Sequence, residues 1–145
     1  MGRMKPSRFL VKPGECFGLA LRRAARAVSR QYDAALAPLA LNNGQFSMLV
    51  LLAGLGPVRI QTVAEALAMD RTTVTAALKP LQRRKLVRVH VAGDDARARE
   101  AVLTPVGEAL LREATPLWRV QQERVKKMLS AKDAEALRAC LGRLV

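Results

Sequence analysis

Residues 69–80 read MDRTTVTAALKP, and by propensity alone the stretch is odd: Thr72, Thr73 and Thr75 crowd the start of a helical pattern, and Pro80 sits inside it. β-Branched side chains lose rotamer freedom in a helix, so something other than helix stability selects them here. Asp70 has the form of an N-cap, and Val74, Leu78 and Leu81 recur at helical spacing, giving a buried stripe that runs to about Arg84. With that stripe turned inward, the outward face carries Arg71, Thr72, Thr75, Ala76, Lys79 and Arg83. A helix N-terminus presents unpaired N–H groups and a partial positive charge, to which short hydroxyls on Thr72, Thr73 and Thr75 add donors for a phosphate or a base edge. Taken alone, the stretch reads equally well as a capped helix with a solvated basic face.

Just upstream, Ile60, Val63, Ala64 and Leu67 mark a short helix, and the tight turn at Met69 and Asp70 makes the pair a helix-turn-helix. Before it, GLGP (54–57) stops a nearly all-apolar helix that opens at Asn42, where Gln45 three residues on completes a capping box. The first helix runs from Glu15 to Leu36, with Phe17, Leu21, Ala24, Val28, Tyr32 and Leu36 on one face; Pro38 follows it. Downstream, LVRVHVAGDDARAREAVL (86–103) alternates, turns at Gly93 to Arg97 and returns, which reads as a two-stranded hairpin with a charged tip. There Arg97 and Arg99 suit a narrow minor groove, and Asp95 is placed to hold the Arg97 guanidinium. Thr104 and Pro105 open a long helix to about Leu129, bent at Pro116. Ser130 and Asp133 open a last one, with Ala134, Leu137, Leu141 and Leu144 as its stripe.

Composition agrees with this order. The chain has 145 residues, half of them hydrophobic but only 3 % aromatic, so one mostly helical domain built on Leu, Val and Ala is expected. A net charge of +13 favours polyanions: nucleic acid first, an anionic membrane surface second. No apolar run of membrane-spanning length occurs, and the N-terminus lacks the apolar core of a cleavable leader, so a cytoplasmic location is expected. Cys16 and Cys140 lie far apart without metal-ligand spacing, and His90 has no clustered partner, so no metal site is expected. No nucleophile elbow, phosphate loop or paired acid-base set is present. The reading is therefore of a non-enzyme without a cofactor.

Together these residues resemble the MarR family of winged helix-turn-helix transcriptional regulators. The resemblance rests on QF (45–46), QTVAEALAMD (61–70), RTTVTAALKPL (71–81), LV (86–87) and a D-x-R-x5-L-T-P-x-G signature in Asp95, Arg97, Leu103, Thr104, Pro105 and Gly107. It implies a mostly α fold with a small β-hairpin wing: a winged helix-turn-helix lobe over 41–103, with dimerisation helices over 15–37 and 105–145. It also implies a homodimer on a pseudo-palindromic double-stranded DNA operator, with Thr72 to Lys79 in the major groove and Arg97 in the minor groove. The function implied is repression released by a small aromatic or lipophilic effector, for which Trp118, Tyr32, Phe17 and the arginines of the first helix are pocket candidates.

The sequence departs from the family pattern at Ala76, where many relatives carry an arginine, and at Lys85, where a glycine usually closes the helix. One branch of the family senses hydroperoxides through a cysteine at the position of Cys16. The tyrosine partners of that branch, four and fourteen residues on, are here Ala20 and Arg30. Cys16 is accordingly expected to be a buried small residue and Cys140 to pack in the dimer interface. A redox-responsive repressor and a sequence-indifferent basic coat for nucleic acid are the alternative readings.

Overall fold

The computed structural model describes residues 12–145; the leader reading of the first residues lies outside them. After a 3₁₀ turn at Pro13–Glu15, the elements are α1 (Phe17–Leu36), α2 (Asn43–Leu55), β1 (Val58–Arg59), α3 (Ile60–Ala66), α4 (Arg71–Arg83), β2 (Val87–Val91), β3 (Arg99–Leu103), α5 (Pro105–Lys127) and α6 (Ala131–Gly142). The fold is mostly helical with a small antiparallel sheet, a winged helix-turn-helix. The sheet has three strands in the order β1-β3-β2, not the two expected. Val58 and Arg59 pair with Ala101 and Glu100, a partnership that a two-residue strand carries no local signal for.

Caps set the element boundaries. Asn42 and Gln45 form the reciprocal capping box at α2, with N–H to side-chain distances of 2.8 and 3.1 Å. The α2 start is also tied to α1, because the Asn43 N–H donates to the Asp33 carboxylate at 2.6 Å. Lys85 takes the left-handed conformation (φ 58°) that a glycine would occupy at no steric cost. Its N–H donates to the Gln82 carbonyl at 2.9 Å and that of Leu86 to Leu81 at 2.9 Å, so α4 ends in a Schellman motif. Ala68 (φ 50°) closes α3 in the same way.

Thr104 is the junction between wing, α4 and α5. Its hydroxyl faces the carbonyls of Lys85 (2.7 Å) and Leu86 (3.0 Å) and accepts from the Gly107 N–H at 3.0 Å, while its own N–H donates to Leu86. A Cβ on Gly107 would lie 2.2 Å from the Leu86 carbonyl oxygen, so only glycine permits this approach. The L-T-P-x-G run is thus a close-packed joint.

The core is continuous from Leu36 through Phe46, Leu49 and Leu52 of α2 to Val63, Val74, Leu78, Leu81 and Ala114. The stripe expected on α4 is buried as read. The stripe on α1 is not: Tyr32 and Leu36 are buried, but Phe17 is 84 % exposed and Leu21 is exposed as well. No residue of α6 is buried. No single helix among the described residues is long and apolar enough to cross a membrane.

Candidate nucleic-acid interface

The front edge of α4 is built by Asp70. Its carboxylate accepts the Thr73 N–H at 2.8 Å and the Thr73 hydroxyl at 2.5 Å. These bonds, with the hydroxyl first, hold the Asp70 carboxyl below its ordinary range, since they favour the ionised form. The hydroxyl of Thr73, read above as a donor to DNA, is therefore engaged in the cap. Thr75 donates to the Arg71 carbonyl four residues back at 2.9 Å, leaving its methyl and its oxygen lone pairs outward. Among the described residues the Thr72 hydroxyl has no partner. The three threonines thus differ: one caps, one back-bonds and one is uncommitted.

Arg71, Thr72, Thr75, Ala76 and Lys79 surround an open hollow of about 410 Å³ on the exposed side of α4. Pro80 stays within the helix, but with no N–H it leaves the Ala76 carbonyl without its intrahelical donor. Ala76 lines the hollow and supplies no longer side chain there. Arg83, also exposed, lies one turn beyond Lys79 on the same helix.

The wing corrects one expectation. Asp95 does not hold the Arg97 guanidinium; its carboxylate accepts the backbone N–H of Arg97 at 2.9 Å, an Asx-type turn that shapes the loop itself. The Ala98 N–H donates to the Asp95 carbonyl at 3.0 Å and the Ala92 N–H to Ala98 at 3.0 Å, closing the tip. Arg97 stays exposed and Arg99 begins β3. The neighbouring Asp94 instead pairs with Arg59 at 2.7 Å. Beneath the wing a cleft of about 250 Å³ gathers Arg59, Arg71, Arg97 and Arg99, with Gln61 at the start of α3 and Asp95 at its rim. Four arginines lining one cleft suit a polyanion backbone. Arg59 and Gln61 escaped the sequence reading because their place depends on β1. The order GPVR before a helix is the only hint of it.

Of the remaining groups, Cys16 reads differently from expectation. Cys16 is exposed, not buried; it is the N-cap of α1, its sulfur accepting the Leu19 N–H at 3.4 Å. Cys140 is exposed too, beside the Arg143 guanidinium at 3.2 Å. His90 faces Glu100 across the wing strands at 3.4 Å, and its Nδ1 is enclosed without a partner among the described residues. Among those residues no group of three His, Cys, Asp or Glu side chains could hold a metal ion. Trp118 stacks on Phe46 with ring centroids 5.9 Å apart, and both line a cavity of about 530 Å³ between α2 and α5 with Val50, Leu111, Thr115 and Arg119. Tyr32 lies elsewhere, bonded to Gln122, and burial pushes its phenol pKa up.

Comparison with known proteins agrees with this geometry. The MarR family model matches residues 40–98. The transcriptional regulator MosR of M. tuberculosis, solved in complex with DNA, is 36 % identical over 90 % of this chain and 96 % of its own, with a TM-score of 0.80. The transcriptional repressor CouR, solved on a 23-mer DNA duplex, is 29 % identical over 92 % of this chain and 97 % of its own, with a TM-score of 0.81. BpsR of Bordetella bronchiseptica, whose DNA binding is regulated by 6-hydroxynicotinic acid, is 27 % identical over 92 % of this chain and 96 % of its own, with a TM-score of 0.82. No curated protein matches the sequence. The chain belongs to the MarR family of DNA-binding transcriptional regulators.

Proposed function

We infer that the chain is a cytoplasmic, homodimeric repressor that binds a pseudo-palindromic operator and is released from it by a small molecule. The observation that carries the DNA reading is the continuity of one exposed face. The hollow of Arg71, Thr72, Thr75 and Lys79 shares Arg71 with the four-arginine cleft under the wing. The hollow suits the major groove, where Thr72 and the Thr75 methyl meet base edges and Lys79 a phosphate; exposed Arg97 suits the minor groove. Dimerisation is supported by the apolar residues that α1 and α6 leave uncovered, Phe17, Leu21, Leu137 and Leu141, with Leu144 just beyond α6, which a second copy would bury.

The cavity under Trp118 supports the effector reading. Its walls are apolar and aromatic, and Arg119 supplies the charge that an aromatic acid would seek. A second cavity of about 390 Å³ shares Ser47 and Leu67 with it and reaches Ala77 and Pro80 of α4. A molecule lodged there touches the back of the reading helix, which gives it the differential contact that release requires. The regulated relative BpsR responds to a molecule of this aromatic kind.

Selection of bound duplexes from a random pool tests the reading. An inverted repeat, with half-sites about one helical turn apart, is expected. Recovery of no shared sequence would overturn it.

A further inference from the structure

The wing tip carries two adjacent aspartates, and the structure gives them different tasks. Asp95 acts locally, its carboxylate and carbonyl accepting the N–H groups of Arg97 and Ala98. Asp94 reaches out of the loop to Arg59, with Nη2 and Oδ2 2.7 Å apart. Arg59 has its backbone fixed by pairing with Glu100 of β3. The ion pair therefore connects the β2–β3 loop to β1, a strand that β2 never touches in the order β1-β3-β2. Apart from the strands themselves, the loop is closed by the Ala92 to Ala98 hydrogen bond.

Both partners are exposed, so the pair contributes little to global stability. What it changes is the position of a tip that bears Arg97. A narrow minor groove is distinguished from a wide one by the fit of an inserted guanidinium, and that fit degrades when the arginine swings. We propose that Asp94 is a positioning residue for Arg97: by holding Arg59 it fixes the wing tip against β1, so that minor-groove width is read by a held arginine. The proposal rests on the DNA reading of the wing given above.

Removing Asp94 has two effects of opposite sign. It loosens the tip, and it deletes a negative charge facing phosphates, which strengthens attraction to every duplex. Discrimination and bulk affinity therefore move apart.

The test uses the full chain. In Asp94→Asn the amides of Ala92 and Ala98 are expected to exchange several-fold faster in the free protein. The exchanged pair Arg59→Asp with Asp94→Arg should restore slow exchange. On DNA, Asp94→Asn should lose several-fold discrimination between a selected duplex and one with its wing-contact positions changed to G·C, while random duplex is bound as well or better. In an Arg97→Ala background the same substitution should cost no further discrimination. Unchanged exchange overturns the brace. Discrimination lost in Arg97→Ala but kept in Asp94→Asn overturns the proposal and leaves the wing reading standing. A parent protein without such discrimination overturns the wing reading itself, and the exchange measurement still decides whether Asp94 restrains the tip.

Discussion

The lobe from Leu41 to Leu103 and the helices that flank it follow the same amphipathic rule and end differently. In the lobe, Leu49, Val63, Val74 and Leu81 are wholly enclosed, and the turns are tied by side chains such as Arg84, which donates to the Ala40 and Leu39 carbonyls at 2.6 and 3.0 Å. In the outer half of α1 and along α6, residues at equally regular spacing face outward, with Leu137 at 44 % and Leu141 at 40 % exposure. Apolar periodicity states that a face is to be covered; it does not state by what. A stripe that meets its own lobe closes within one chain, whereas one that meets nothing in that chain stays exposed.

The sharpest way to break this contrast is to cut one leucine on each side of it. Leu78→Ala removes a side chain buried in the lobe and is expected to cost about 2 to 5 kcal/mol at every protein concentration. Leu141→Ala should cost little in an isolated chain but weaken self-association, so that its denaturation midpoint falls on dilution. Equal, concentration-independent losses in chemical denaturation would erase the distinction. Removal of residues 131–145 should go further and give monomers or aggregates in sedimentation. A stable truncated dimer would assign the interface elsewhere.

A smaller effect concerns the joint between the two regions. Gly107→Ala places a Cβ 2.2 Å from the Leu86 carbonyl oxygen and 2.6 Å from Leu103 Cδ1. The backbone must shift, and a loss of about 1 to 3 kcal/mol is expected, with operator binding weakened because the wing moves with Leu103. A variant as stable as the parent would show that α5 rides loosely on the lobe.

The smallest effect belongs to the helix cap. Hydrogen bonds from Thr73 lower the folded-state pKa of Asp70 below its unfolded value. Its contribution is therefore complete above the ordinary carboxylate range and is lost as pH falls through the lowered folded value. The stability gap between the parent and Asp70→Ala should be constant near neutrality and close in acid. A gap that widens toward low pH would reverse the sign.

Much of this was legible because it is local. Asn42 with Gln45, Asp70, Thr104 with Pro105, and Ser130 all cap helices where their spacing placed them. The helix-turn-helix and the hairpin followed from periodicity and turn residues. The two-residue β1 was not legible, since its hydrogen bonds lie with β3, some forty residues on. The Asp94 to Arg59 pair depends on that strand and was hidden with it. The task of Asp95 was open to a local reading: an aspartate two residues before a free N–H favours an Asx turn, and that turn took precedence over the guanidinium. The threonines were placed correctly on the outer edge of α4, but which hydroxyls remain uncommitted depends on the rotamers that carry Thr73 to Asp70 and Thr75 to the Arg71 carbonyl.

On the function proposed above, the outer face of α4 and the wing read sequence and do more than attract charge. Titration of the selected duplex and a random duplex with the parent protein over a series of salt concentrations decides between the two. Both affinities should fall as salt rises, because phosphate contacts are screened, but their ratio should remain large. A ratio that shrinks toward one as salt increases would contradict the account and leave a basic protein that coats DNA by charge alone.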